Sequence, residues 1–217
     1  MEGKEAGSKN SSKIYVSVVI PTLNEEPNIE QLLREIESEL SGKENEVIIV
    51  DGGSTDNTVK IAKRHGAKIL HEKSGKGAAL LKGFSEARGK ILISMDADLS
   101  HRPVEMRILI AGIEAGYDIC MGSRFISGGG TDDMPLVRVL GNKFFVFLVN
   151  LLFGSNYSDL CYGYRSFNKE ALKKMELTES GFGIETEISI QAKKAGLKTM
   201  EIPSVEKKRS AGEAKLK

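Results

Sequence analysis

"KILISMDADLSH", residues 90–101, joins an apolar run to a turn with two aspartates one residue apart, Asp96 and Asp98. Aspartate is a poor strand residue and costly to bury unpaired. The run "KILISM" (90–95) predicts a strand, so the acidic pair stands where that strand ends. Two readings compete. One is a polar loop that caps the next helix; the other is a pair of carboxylates converging on a positive charge. A small residue between them lets both approach one centre. Hard divalent cations favour carboxylate oxygen, and Mg²⁺ takes one or two carboxylates plus phosphate oxygens.

Upstream the hydrophobic period alternates. "KIYVSVVI" (13–20), "EVIIV" (46–50) and "AKILH" (67–71) predict strands. "NIEQLLREIESEL" (28–40), with Ile29, Leu32, Leu33, Ile36 and Leu40 at helical spacing, predicts a helix. "TVKIAKRH" (58–65), with Asp56 as its N-cap and Gly66 as its stop, predicts a second, and "GAALLKGFSEA" (77–87) a third. Downstream, "PVEMRILIAGIEA" (103–115) predicts a helix with Pro103 in its first turn, and "YDICMG" (117–122) a fifth strand. This alternation predicts an α/β fold with a mostly parallel central sheet and helices on both faces. Ligand sites in such sheets lie beyond the carboxyl ends of the strands. "PTLNEE" (21–26), "DGGSTD" (51–56) and "DADLSH" (96–101) all follow strands, so three polar turns are expected at one edge.

After Gly122 the pattern loosens. "ISGGGTDDMP" (126–135) predicts a mobile Gly-rich loop, and "LVRVLGNKFFVFLVNLLFG" (136–154) a helix interrupted by Gly141. "YGYRSFN" (162–168) and "KTMEIP" (198–203) predict strands; "KEALKKM" (169–175) and "IETEISIQAKKAG" (184–196) predict helices. The longest apolar stretch, "FFVFLVNLLFG" (144–154), is short of the ~20 residues of a spanning helix. A core helix is its default reading and a helix lying in a membrane interface the alternative. Residues 1–13 are Gly-, Ser-, Lys- and Glu-rich without an apolar stretch, which predicts a disordered lead-in and not a signal peptide. There is no internal repeat and no second domain boundary.

The 217 residues carry 31 Lys+Arg and 30 Asp+Glu, a net +1 that gives no overall case for nucleic acid. Lys207, Lys208, Arg209, Lys215 and Lys217 stand against only Glu213, a local excess that suits an anionic ligand, a lipid surface or a solvated tail. Cys120 and Cys161 have no metal-site spacing and read as reduced, buried thiols of a cytosolic protein. "PTLNEEPN" lacks the GxGxxG of a dinucleotide turn. "SGKGAALLKG" (74–83) misses the phosphate-loop pattern in spacing and in its final hydroxyl, so an NTPase has little support. Asp51, directly after a strand, suits a ribose hydroxyl or a base edge, or a turn rich in its preferred residues. Asn24 and Glu25 suit a helix start as well.

"VVIPTLNEEPNI" (18–29), "VIIVDGGSTDNT" (47–58), "GKGAALLKGFSEARG" (75–89), "ISMDADLSHRP" (93–103) and "MGSRF" (121–125), in that order, resemble a family 2 glycosyltransferase of the GT-A fold. "DLCYGYRSFNKEAL" (159–172), "GFGIETEI" (181–188) and "EIPSVEKKRSAGEAKL" (201–216) are similar to the dolichol-phosphate mannose synthase group of polyprenyl-phosphate sugar synthases. The resemblance covers nearly the whole chain and is weak on sugar identity.

The resemblance implies one domain over 14–217, with a nucleotide-sugar-binding half (14–123) and an acceptor-binding half (124–217). It implies a nucleotide-sugar donor such as GDP-mannose or UDP-glucose, Mg²⁺ or Mn²⁺, and a dolichyl or polyprenyl phosphate acceptor. Pro21, Leu23, Asn24, Glu25, Asp51, Lys76, Asp96, Ala97 and Asp98 would border the donor. Asp96 and Asp98, with Ser100, would hold the metal. Arg124, Arg138, Arg209 and Lys215 would meet the acceptor phosphate, since arginine's fork suits phosphate. Asp98, Arg124 and Asp159 would be catalytic, and Glu185 would orient sugar or acceptor. The plainer readings are a helix's polar face for Arg138, tail solvation for Arg209, and helix-cap or surface acids for Asp159 and Glu185. His101 suits a metal ligand or a structural role. The chain departs from the family at Ser100, where glutamine is usual, and at Gly52, where a second acid is commoner. "CYGYR" stands for the usual "SGFR", and "GEAK" for "GKSK". A peripheral protein at the cytoplasmic face of a membrane is expected. Two other readings keep the fold: a saccharide or small-alcohol acceptor with Asp159 or Glu185 as base, and an inactive nucleotide-sugar-binding subunit.

Overall fold

The first apolar run becomes a central strand because its valines and isoleucines can be buried on both faces. The computed structural model describes residues 14–132 and 134–209. Its elements are β1 (Val16–Thr22), α1 (Glu26–Glu39), β2 (Asn45–Asp51), α2 (Thr58–Arg64), β3 (Lys68–His71), α3 (Lys76–Glu86), β4 (Ile91–Ser94), α4 (Met106–Glu114), β5 (Ile119–Ser123), β6 (Gly130–Thr131), α5 (Leu136–Phe153), β7 (Arg165–Asn168), α6 (Lys169–Leu172), α7 (Ile184–Lys194), β8 (Thr199–Pro203) and β9 (Val205–Glu206). A 3₁₀ turn, Pro103–Glu105, leads into α4, with the proline at its allowed start.

The main sheet has the order β3-β2-β1-β4-β7-β5-β8. All its pairings are parallel except those of β7, which runs antiparallel to β4 and β5. Pleating sends Val16, Val18 and Ile20 into a core with Ile29 and Leu32 of α1 and Leu109 of α4. Val19 points the other way, to Leu80 and Phe84 of α3 and Ile188 of α7. Helices therefore cover both faces, and the mostly parallel α/β architecture read from the sequence is the one observed.

Register places the site. Thr22 pairs with Asp51, so β1 and β2 end together. Ser94 at the end of β4 pairs with Val19 of β1 and with Arg165 of β7. Because β7 is antiparallel, residues 160–164 arrive at the edge from which 96–98 leave. β5 ends at Ser123, which puts Arg124 at the same edge.

Five expectations are corrected. Helix α5 runs uninterrupted through Gly141, and it is not a core helix: only Asn142 and Val149 are buried. Val137, Phe144, Phe147, Leu151 and Leu152 are exposed, the last by 71%. The sheet face is already covered by α3 and α7, so α5 packs along α7 and leaves most of its apolar surface outside. By length and composition alone it could cross a membrane. Part of the Gly-rich loop is ordered, since Gly130–Thr131 pairs with Val205–Glu206. Cys161 is exposed, while Cys120 is buried and its thiol pushed up to about 12 by burial; both are free. The N-cap of α2 is Asn57, with Asp56 one residue earlier accepting from the Thr58 amide at 3.0 Å.

Candidate active site

The turns after β1 and β2 form one unit. Asn24 takes a left-handed φ of 51°. Its amide N–H donates to Ser54 Oγ (2.8 Å) and its Oδ1 accepts from Thr55 N (2.8 Å). Asp56 Oδ2 accepts from Glu26 N (3.1 Å), and the Glu26 carboxylate accepts from Asn57 N (2.9 Å). Asp51 is buried and accepts from Gly53 N (3.0 Å) and Ser54 N (3.1 Å). Burial pushes its pKa up, but the Ser54 and Gly53 hydrogen bonds outweigh that and leave it lowered. The acid expected at the nucleoside thus shapes the turn itself. Pro21, next to last in β1, pairs with Val50 beside it, and Leu23 lies against Gly52.

The acidic pair is neutralised by the chain's own cations. Lys76, the first residue of α3, places Nζ 2.7 Å from Asp96 Oδ1 and 2.8 Å from Glu185 Oε1. Burial lowers the lysine's pKa, but the two carboxylates raise it more. For Asp96, burial acts upward and is overcome by Lys76, then His101 and Arg209, which hold it at about 2. Gly163 makes room for this bridge: a Cβ there would stand 3.1 Å from Lys76 Nζ and 3.2 Å from Glu185 Oε1. Ala97 is buried between the aspartates. Asp98 Oδ1 accepts from Ser100 N (3.0 Å), and its Oδ2 lies 2.9 Å from Arg209 Nη2. Arg209 Nη1 reaches Glu25 Oε1 at 3.2 Å. Ser100, expected as a metal ligand, serves Asp98 here through its backbone.

His101 is buried, stacked on Tyr164 (centroids 4.9 Å apart) and edge-on to Tyr162 (4.7 Å). Its Nδ1 accepts from Asp96 N (3.0 Å), which assigns the proton of the neutral ring to Nε2, 3.9 Å from Asp96 Oδ2. Burial lowers its pKa, against the pull of the aspartates, and keeps it neutral. With Nδ1 bonded and Nε2 protonated, the ring orients the acidic turn and has no lone pair to offer a metal. The start of α3 is likewise occupied. Gly77 N donates to Gly181 O (3.1 Å) and Ala78 N to Ser180 O (3.0 Å). A Cβ on Gly77 would stand 2.1 Å from Glu179 O. Carbonyls hold the amides that a phosphate loop would offer to its ligand.

A second cluster lies behind the first. Arg124 grips Asp159 with Nε–Oδ2 at 2.7 Å and Nη2–Oδ1 at 2.9 Å, and Nη1 meets Glu206 Oε2 at 3.1 Å. Arg138 is exposed on α5, and Lys215 lies outside the described residues. Among the described cations expected at an acceptor phosphate the partners differ: Arg124 is in a buried ion pair and Arg209 sits on the acidic pair. Two contributors escaped the sequence reading. Glu206 joins Arg124 to Thr131 Oγ1 (2.8 Å). Arg165, fully buried, donates to Tyr162 O, Leu160 O and Ser189 Oγ, each at 3.0 Å, and ties 160–162 to α7. Its signal was a charge inside an apolar strand pattern.

Among the described residues no group of three or more His, Cys, Asp or Glu is placed to hold a metal. Two carboxylates still fit a hard divalent cation that completes its shell from diphosphate oxygens. Asp96 and Asp98 are those carboxylates, and the donor chemistry matches.

A mostly parallel sheet with polar turns and an Asp-x-Asp pair at one edge is the arrangement of the GT-A fold of glycosyltransferases. Glucosyl-3-phosphoglycerate synthase from Mycobacterium tuberculosis, solved with Mn²⁺ and UDP-glucose, matches it with a TM-score of 0.73 over 94% of this chain and 73% of that one, at 22% identity. The sequence profile of glycosyl transferase family 2 matches residues 17–176, and the chain belongs to that family. Dolichol-phosphate mannosyltransferase of Pyrococcus furiosus is 35% identical over 210 residues, 93% of this chain. The chain spans 59% of that relative's length. Polyprenol monophosphomannose synthase of Mycolicibacterium smegmatis is 30% identical over 213 residues, 92% of this chain and 80% of the relative.

Proposed function

We propose that the chain transfers a hexose, mannose or glucose, from a nucleotide sugar to a polyprenyl or dolichyl phosphate, with inversion at the anomeric carbon. The observation that carries this is that both candidate bases, themselves buried, are paired with the chain's own cations: Asp159 with Arg124, and Glu185 with Lys76. An alcohol acceptor needs a base to take its proton. A phosphate acceptor brings an ionised oxygen and does not. The names of the two relatives support mannose and a polyprenyl phosphate, and the Mn²⁺ of the solved neighbour supports a divalent metal.

The acceptor oxygen attacks the anomeric carbon, and the nucleoside diphosphate leaves from the opposite face. Asp96 and Asp98 would hold Mg²⁺ or Mn²⁺, which neutralises the leaving diphosphate when bound. Lys76 fixes Asp96 and Glu185 relative to each other, and His101 fixes the acidic turn. The rigid 24–26 and 51–58 turns present the donor's edge of the site. Arg138 and Arg209 are the cations suited to the acceptor phosphate.

The apolar face of α5 would lie in a membrane interface, where a polyprenyl chain is found. Two asparagines hold this helix along the domain: Asn142 Oδ1 accepts from Leu160 N (3.3 Å), and Asn150 Nδ2 donates to Tyr157 O (2.8 Å). Residues 159–163 then connect it to the acidic pair. The free thiols Cys120 and Cys161 suit the cytoplasmic face.

The test is an incubation with Mn²⁺, a panel of labelled nucleotide sugars, and a short polyprenyl phosphate beside the polyprenol of equal length. Lipid-linked sugar is expected with the phosphate alone. No lipid product with any donor, or equal transfer to the alcohol, overturns the reading.

A further inference from the structure

Arg209 closes the described chain, yet its guanidinium lies on the acidic pair 111 residues away in sequence, bridging Asp98 and Glu25. The segment that carries it is fixed at three points. Val205 N donates to Glu105 Oε1 (3.3 Å), the Glu206 carboxylate takes Arg124 and Thr131, and Lys207 N donates to Ser100 O (2.9 Å). Glu25 is fixed as well, with its N–H on Thr58 Oγ1 (2.8 Å) and its Oε2 on Asn28 Nδ2 (2.8 Å). The guanidinium is thus aimed at Asp98 from a built anchor.

Its setting differs from that of Lys76. Lys76 sits between two carboxylates at the start of a helix whose first amides are bonded to a neighbouring loop. Arg209 reaches in on a long side chain from the 205–209 segment and remains partly exposed. A divalent cation bound to Asp98 Oδ2 repels a guanidinium on the same oxygen. One of the two must leave, and Arg209 is the one with room to turn.

We propose that Arg209 is an exchangeable counter-ion. It neutralises Asp98 in the empty protein, yields that carboxylate to a divalent cation, and is thereby turned toward the anionic oxygens that gather in the site. This rests on the reading of Asp96 and Asp98 as metal ligands. It makes Arg209 a positioning residue whose availability to an acceptor phosphate depends on the metal.

The test titrates Mn²⁺ alone into the nucleotide-free chain and measures free Mn²⁺ by electron paramagnetic resonance. Arg209→Gln should bind Mn²⁺ about tenfold tighter than the parent, because a repelling charge is gone. Arg209→Lys, which keeps the charge, should gain less, and Asp98→Asn should lose binding. A second readout is trypsin cleavage after Arg209, which Mn²⁺ should accelerate in the parent and leave unchanged in Asp98→Asn. If Arg209→Gln binds Mn²⁺ no better than the parent while Asp98→Asn loses it, the exchange is overturned and the metal site stands. Absence of Mn²⁺ binding in Arg209→Gln also overturns the exchange. Unaltered binding in Asp98→Asn overturns the metal reading itself.

Discussion

Replacing Arg124 by alanine separates a structural role from a substrate-binding one. The Arg124 and Asp159 side chains are 5% and 0% exposed, so the variant strands a buried carboxylate. Breaking one side of a buried ion pair costs about 3–5 kcal/mol. Asp159 keeps two backbone donors, Arg124 N and Cys161 N, both at 3.2 Å, which places the cost near the lower end, about 3 kcal/mol. The guanidinium also lies 4.7 Å from the centre of the Tyr162 ring, a contact worth roughly 0.5–1 kcal/mol. A loss of about 3.5–4 kcal/mol, at roughly 2–4 °C per kcal/mol for a chain of this size, lowers Tm by roughly 7–16 °C. Scanning calorimetry measures it. Adding Asp159→Asn to Arg124→Ala removes the orphan charge and should restore part of the loss, a coupling that a double-mutant cycle isolates. An Arg124→Ala protein that melts with the parent but transfers no sugar would refute this reasoning, because the guanidinium would then act on substrate and not on the 159 segment.

Lys76→Met leaves Asp96 and Glu185 facing each other; two like charges about 5 Å apart repel by about 3 kcal/mol at an effective dielectric constant near 20. Urea unfolding should show a loss of that order, mostly recovered in Lys76→Met/Glu185→Gln, and a double variant no more stable than the single one counts against the bridge. Glu46 accepts from Ser17 Oγ (2.7 Å), Arg88 N (2.7 Å) and Arg88 Nε (3.0 Å); burial raises its pKa, but these bonds lower it more. Its contribution is therefore complete above the unfolded carboxyl pKa and lost as pH falls through the lower folded value. Glu46→Gln should be about 1–2 kcal/mol less stable than the parent at pH 7, with the gap closing below about pH 4; a gap that widens in acid is the contrary result. Phe144→Ser/Phe147→Ser/Leu151→Ser should weaken binding to phospholipid vesicles at least about a hundredfold with little change in Tm, since these side chains are exposed. Equal sedimentation with vesicles would remove α5 from the membrane.

The α/β order was legible because strand and helix periods alternate cleanly from Tyr15 to Gly122. The edge where the acidic turns meet was legible because each follows a strand directly. Strand β7 was legible as a strand but not as an antiparallel insertion between β4 and β5, since direction in a sheet leaves no mark on one strand's composition. That insertion brings Gly163 to Lys76 and Asp96. The fate of α5 was hidden for a related reason. A helix apolar all round reads as core, and only the prior cover of the sheet by α3 and α7 leaves it outside. Ion-pair partners were the least legible. Arg124 and Glu206 are 82 residues apart, and nothing local marks either as the other's neighbour.

The two aspartates after β4 belong to a set of four carboxylates, Glu25, Asp96, Asp98 and Glu185, that share two cations, Lys76 and Arg209. With His101 neutral, the set keeps two negative charges. A diphosphate meeting that surface unaided is repelled, whereas one divalent cation taken in exchange for Arg209, with Lys76 kept, would lower the set to a single negative charge before the donor's own charge is added. A metal held there would answer to the whole set, with Asp96 and Asp98, 32% and 13% exposed against 4% for Glu25 and 6% for Glu185, as the carboxylates open to it. The same charge sum constrains the acceptor. A lipid phosphate, the acceptor of the proposed function, would add negative charge beside the diphosphate and so would need a cation that the donor site no longer holds. Arg209 leaving Asp98 would supply one at that moment, and a site with Lys76 alone could not, because Lys76 remains on Asp96 and Glu185. On the proposed function, one anchored and one exchangeable cation would order the two anions, the donor's diphosphate with its metal first and the lipid phosphate second.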